Sequence, residues 1–146
     1  SKFIKLFNTE TNKIMHSIID IKDLQNGELK HALYSGQKKI VEFAEGILLQ
    51  DFDVSNKFVK ESAYHLLKSI KWKVDVSKLN LKSSKSYLKE LQSFLLIELE
   101  NFVLEFQNYK EKTNGERRLM YHNSLIKMFK NIVKNSIDIY AKYSIT

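Results

Sequence analysis

Apolar residues return every three or four positions along most of the chain, the period of a helix with one buried face. From about Lys2 to Ile21 the face is marked by Phe3, Phe7, Ile14, Ile18 and Ile21. Asp23-Leu24-Gln25-Asn26-Gly27 interrupts it, and Asn26 is placed to cap a second helix. That helix carries Leu29, Leu33, Gly36, Ile40, Phe43, Ile47 and Leu48. Gly36 and Gly46 lie inside it, each costing about 1 kcal/mol relative to alanine, so each marks either a close helix crossing or simple tolerance. After Asp51-Phe52-Asp53, Ser55 is a suitable cap for a third helix with Phe58, Val59, Ala63, Leu66, Leu67 and Ile70 inward.

Between Lys71 and Asn80 the period changes. Trp72, Val74 and Val76 alternate with Lys73, Asp75 and Ser77, which fits a short strand or an extended connector, and one lone strand has nothing to pair with. The longest helix is expected from Ser83 or Ser84 to about Lys112, with Leu88, Leu91, Leu95, Leu99, Phe102, Phe106 and Tyr109 in its stripe. Thr113-Asn114-Gly115 reads as its stop. A last helix follows from about Glu116 to Tyr143, with Met120, Ile126, Phe129, Val133, Ile137 and Tyr140 facing inward. Short connections make consecutive long helices antiparallel. The expected architecture is all-α: residues 1–146 as one domain, a four-helix bundle with one additional helix.

Composition supports the pattern. The 146 residues contain no proline and only four glycines, so the turn-rich sandwich and barrel folds are poorly served while helices are unobstructed. Cysteine is absent, which removes disulfides, thiol nucleophiles and thiolate metal sites. No apolar run reaches the length of a transmembrane helix. The chain starts at Ser1 with no signal peptide and reads as a mature fragment or an excised domain.

Candidate chemistry is sparse. His16, His31, His65 and His122 show no metal-binding spacing, and Glu98, Glu100 and Glu105 lack the histidines of a di-iron bundle; Glu98 and Glu100 read as a solvated face. No phosphate-binding loop, dinucleotide motif or nucleophile elbow is present. The expectation is a non-catalytic protein without metal or cofactor.

Charge is more informative. The net charge is +7, and only two of the 24 basic residues are arginine. Lys68, Lys71, Lys73, Lys78, Lys82, Lys85 and Lys89 crowd one region around Trp72, with Asp75 the single acid among them. Lys68, Lys71, Trp72 and Lys73 therefore form a candidate basic patch for a nucleic acid, a glycosaminoglycan or other sulfated glycan, or an acidic protein face, or else a plain solvated surface. The two arginines, Arg117 and Arg118, stand together at the start of the last helix, where the macrodipole disfavours cations. Lys38 and Lys39 form another pair on the second helix.

Three stretches carry a resemblance. Ile14-Met15-His16-Ser17-Ile18-Ile19-Asp20, His31-Ala32-Leu33-Tyr34-Ser35-Gly36-Gln37-Lys38-Lys39 and Arg117-Arg118-Leu119-Met120-Tyr121-His122-Asn123 resemble the C-terminal domain of the borrelial fibronectin-binding surface lipoproteins. That resemblance implies a helical bundle that binds and inhibits the r-subcomponent serine protease of the first complement component. The classical complement pathway would then stop at its first step. It also implies a bacterial outer-surface location through a lipid anchor upstream of this chain, a monomer, and no nucleic acid as partner. The family uses two basic positions, one on the second helix and one near the last. The matching positions here are Lys38 or Lys39 and Arg117 or Arg118, with Tyr121 and His122 alongside. The alternatives are the basic glycosaminoglycan or nucleic-acid module centred on Lys68, and a bundle whose outer face only self-associates.

Overall fold

In the computed structural model, residues 2–22, 27–50, 53–71, 81–108 and 113–143 are described. They form α1 (Lys2–Lys22), α2 (Gly27–Leu49), α3 (Asn56–Lys71), α4 (Leu81–Gln107) and α5 (Asn114–Tyr143), with no strand among the described residues. The Asn26 cap and the alternating segment from Trp72 to Asn80 lie outside the described residues.

Local chemistry sets the starts that are visible. Ser55 Oγ accepts from the Phe58 amide at 3.2 Å and caps α3 as expected. At α5 the Thr113 hydroxyl accepts from the Glu116 amide at 3.3 Å, and the Glu116 carboxylate accepts from the Thr113 amide at 3.4 Å. This reciprocal pair is a capping box. It corrects the sequence reading: Thr113-Asn114-Gly115 opens α5 rather than stopping α4, and a side chain at Gly115 would meet nothing within 4 Å. Helix α4 starts at Leu81, ahead of Ser83, and ends at Gln107 with Asn108 in a turn, short of the expected Lys112.

Contacts between helices give the topology. Near its C-terminus, α2 meets the start of α3, where Phe43 and Phe58 stack at 5.7 Å. Gly36, further back on α2, faces Leu66 and Ile70 near the end of α3, so the two helices are antiparallel. Helices α4 and α5 are antiparallel too: Phe106 lies 4.6 Å from the Tyr121 ring at one end, and Glu90 accepts from Lys142 at 3.1 Å at the other. Packing runs α2 to α3, α3 to α4 and α4 to α5, and α5 returns to α2. These four helices close the bundle. The additional helix is α1, which lies against α5 and α2.

The core is continuous through all five helices, from Phe7 through Ile40, Leu66, Leu91 and Leu95 to Phe129. On α4 the expected stripe is the buried one, from Leu91 through Leu95, Leu99 and Phe102 to Phe106. On α5 the buried line is Tyr121, Leu125, Met128, Phe129, Ile132, Val133 and Ile139. Met120, Ile126, Ile137 and Tyr140 sit only half-buried on its flank, so the true face is rotated by about one residue from the expected one. Gly46 is a close crossing, because a Cβ there would stand 2.3 Å from the Phe58 ring. At Gly36 the same atom would sit 3.7 Å from Ile70, an ordinary contact.

Candidate functional site

The outward ridge of α2 consists of His31, Lys38, Glu42, Glu45 and Leu49, all exposed and spaced as one helix face. Lys38 has no ion pair among the described residues. Lys39 differs: it is half-buried, and its ammonium lies 3.0 Å from a Glu42 carboxylate oxygen. Of the two neighbours, Lys38 is the one presented to solvent without an ion-pair partner among the described residues.

Arg117 and Arg118 lie in the first turns of α5, and their side chains are outside the described residues. Their backbone position still fixes the spacing of the two basic pairs. Tyr121 Oη donates to the Ala44 carbonyl at 2.8 Å, which sets the level at which α5 crosses α2. With these helices antiparallel, Lys38 and Arg117 stand on opposite sides of that level, about 15 Å apart along the axis at 1.5 Å per residue. Along the bundle axis the backbones of the two basic pairs are thus separate rather than level with each other.

The alternative patch is partly visible. Lys68 is exposed and its ammonium sits 4.9 Å from the centre of the Tyr64 ring. The Lys71 side chain, Trp72 and Lys73 lie outside the described residues. Because Gly36 faces Leu66 and Ile70, Lys68 occupies the layer of α3 that packs beside Gly36 and Lys38 of α2. Two features that the sequence separates by thirty positions are brought to the same level of neighbouring helices.

Tyr121 is a correction. It is 3% exposed, with its ring 5.6 Å from Phe102 and 4.6 Å from Phe106, and burial pushes its hydroxyl pKa well above the tyrosine range. The side chain ties α5 to α2 and is not a surface contact. The signal was in the sequence: Tyr121, Leu125, Met128 and Ile132 recur at helical spacing. His122, one position on, is half-buried.

Three carboxylates of α4, those of Glu90, Glu98 and Glu105, meet residues of α5. Glu90 accepts from Lys142 at 3.1 and 3.2 Å and from the Tyr143 hydroxyl, which holds its pKa below the usual range. Burial pushes the Glu98 carboxyl up, opposed by a hydrogen bond from Asn131 and the charge of Lys127. Glu98 is therefore half-buried at the seam rather than on a solvated face, whereas Glu100 is exposed. Glu105 accepts from Ser124 at 3.1 Å. Among the described residues no three metal-ligating side chains converge, and no helix is long and apolar enough to cross a membrane.

Comparison with protein-family models, curated proteins and solved structures finds no match to this chain.

Proposed function

We propose that this helical domain is a non-catalytic binding module that engages and inhibits the r-subcomponent serine protease of the first complement component. On this reading it belongs with the borrelial surface lipoproteins that it resembles and acts at the bacterial outer surface, held there by a lipid anchor upstream. The observation that carries the proposal is Lys38, exposed on α2 with no carboxylate paired to it among the described residues, beside a neighbour that is paired. A trypsin-like protease offers a pocket whose buried aspartate accepts a basic side chain. A lysine on a packed helix enters such a pocket with little backbone order left to lose. The arginines at the start of α5 supply a second anchor about 15 Å away along the bundle axis.

The test is binding to the immobilised active protease and its zymogen at physiological salt. Submicromolar binding to the active enzyme is expected. Lys38→Ala should weaken it at least tenfold, about 1.4 kcal/mol, and Lys39→Ala much less. Arg117→Ala with Arg118→Ala should add a further loss. Binding that survives all four substitutions would keep the partner and remove these anchors. An intact domain that does not bind would remove the function itself. A preference for heparin-like glycan or nucleic acid, lost steeply with added salt, would favour the basic-module alternative.

A further inference from the structure

Helix α4 departs from the rest of the chain in composition. No lysine or arginine stands between Lys89 and Lys110, the longest such interval among 24 basic residues. Within it Ile97 is 53% and Leu104 60% exposed. They lie two turns apart on one side of the helix, with exposed Asn101 beside them. Positions 97, 101 and 104 have the spacing of a short coiled-coil seam, and a single asparagine among the aliphatics of such a seam specifies register and oligomer state. Interface cores are depleted of lysine, and the outer side of α4 has that composition.

Charge says what covers this seam. Glu98 and Glu105 meet Asn131 and Ser124, so their flank of α4 is the one against α5. Glu100 falls on the other flank of the Ile97–Leu104 line, toward α3. It is exposed and has no ion pair among the described residues. Lys127 of α5 is exposed on the Glu98 flank, close enough for that carboxyl to feel its charge. The ties from Glu105 to Ser124 and from Glu90 to Lys142 put Glu100 and Lys127 within about 3 Å of one level along the axis. Helix α4 stands between them, so the two charges face away from each other within one molecule.

We propose that the outer side of α4 is the seam of a two-fold dimer of this chain, with the axis running along the helix. Such an axis lays Ile97 and Leu104 of one copy on the same residues of the other. It also carries each flank of α4 onto the opposite flank at an unchanged level. Glu100 of each copy then meets Lys127 of the other, and the pairing occurs twice. A second copy supplies both the apolar line and the crossed charges by symmetry alone. Helix α2 lies diagonally across the bundle from α4, so the ridge that carries Lys38 stays open in both copies and the inference stands apart from the protease reading.

The experiment is sedimentation of the intact chain at physiological salt, from micromolar to millimolar concentration. The mass should rise from 17.2 kDa toward twice that value. I97K with L104K, both at exposed positions, should hold it at the monomer mass with helicity unchanged. E100K and K127E should each weaken association about tenfold. Mixing those two variants should recover it, because each reversed charge then meets its opposite across the seam. Monomer mass throughout, association indifferent to I97K with L104K, or a mixture no tighter than its separate components would each overturn the proposal.

Discussion

Helix α1 and the α4–α5 pair meet their neighbours through different kinds of contact. At the bundle end where α4 finishes and α5 begins, aromatic rings meet in a dry stack of Phe102, Phe106 and Tyr121, with Phe43 of α2 6.0 Å from Phe102. Helix α1 contributes one deeply buried ring, Phe7, edge-on to Phe129 at 6.2 Å. Half-buried Ile14 packs against the core as well, and beside these two the described joint carries a polar network. Gln37 of α2 donates to the Thr11 hydroxyl, to Asn12 Oδ1 at 3.2 Å and, at 3.5 Å, to the Asn8 carbonyl. Thr11 in turn donates to the Phe7 carbonyl at 2.8 Å. Thr11 is fully buried and Gln37 nearly so, so the clasp is a satisfied interior network. Apolar burial is non-directional and supplies most of the stabilisation; a buried polar network adds modestly but fixes one register. Among the described residues, aromatic packing joins α4 to α5 and α2, while the clasp fixes the register of α1 on α2.

That contrast can be broken in order of size. Leu95→Ala, at a fully buried position on α4, should cost about 2–5 kcal/mol. The loss should appear in a single cooperative transition by chemical denaturation. A localised loss would mean that α2–α5 are not one unit. Gly46→Ala forces a methyl into the Phe58 ring and should cost about 1–3 kcal/mol. Gly36→Ala, where the space exists, should gain up to about 1 kcal/mol from helix propensity, so opposite signs at two glycines of one helix are the expected result. Thr11→Val removes an acceptor from buried Gln37 and should cost about 1–3 kcal/mol. Hydrogen exchange should show that cost mainly in α1 amides; equal loss of protection throughout would erase the distinction between α1 and the rest.

The smallest effect is electrostatic. Glu90 has a lowered folded pKa, so its contribution is present above the unfolded value near 4.5 and fades as pH falls through the folded one. Glu98 has a raised folded pKa, so its contribution has the other sign: greatest at low pH, lost as pH rises through the folded value. Glu90→Gln should flatten the acid limb of a stability–pH curve, and Glu98→Gln should steepen it. Both curves are read by denaturation between about pH 3 and pH 6, the range around the reference carboxylate pKa.

Apolar period made most of this architecture legible. Leu91, Leu95, Leu99, Phe102 and Phe106 are buried where the spacing puts them. The period fails where the interior is not apolar. Thr11 and Gln37 carry no hydrophobic signal, and only their partners across the α1–α2 joint make them interior residues. The resemblance places Tyr121 beside the basic anchors, whereas its hydroxyl donates to the Ala44 carbonyl inside the bundle. Thr113 and Glu116 form a capping box in sequence, but Asn114-Gly115 between them mimics a helix stop. At the candidate site, the lysine pair was visible and the choice within it was not. Only the fold shows Glu42 drawn to Lys39 rather than to Lys38. How Gly46 differs from Gly36 was likewise hidden, since it depends on Phe58 of another helix.

The position of α1 has a consequence during synthesis. Its described aromatic partner, Phe129, is made more than a hundred residues later, near the middle of the last helix. Helices α2, α3 and α4 each find a neighbour in the next helix to emerge from the ribosome. At about 5–20 residues per second, α1 waits on the order of ten seconds for the surface of α5 that receives Phe7. Throughout that interval α2 is the main partner available to its apolar side, so the Gln37 clasp is among the earliest native attachments open to the first helix.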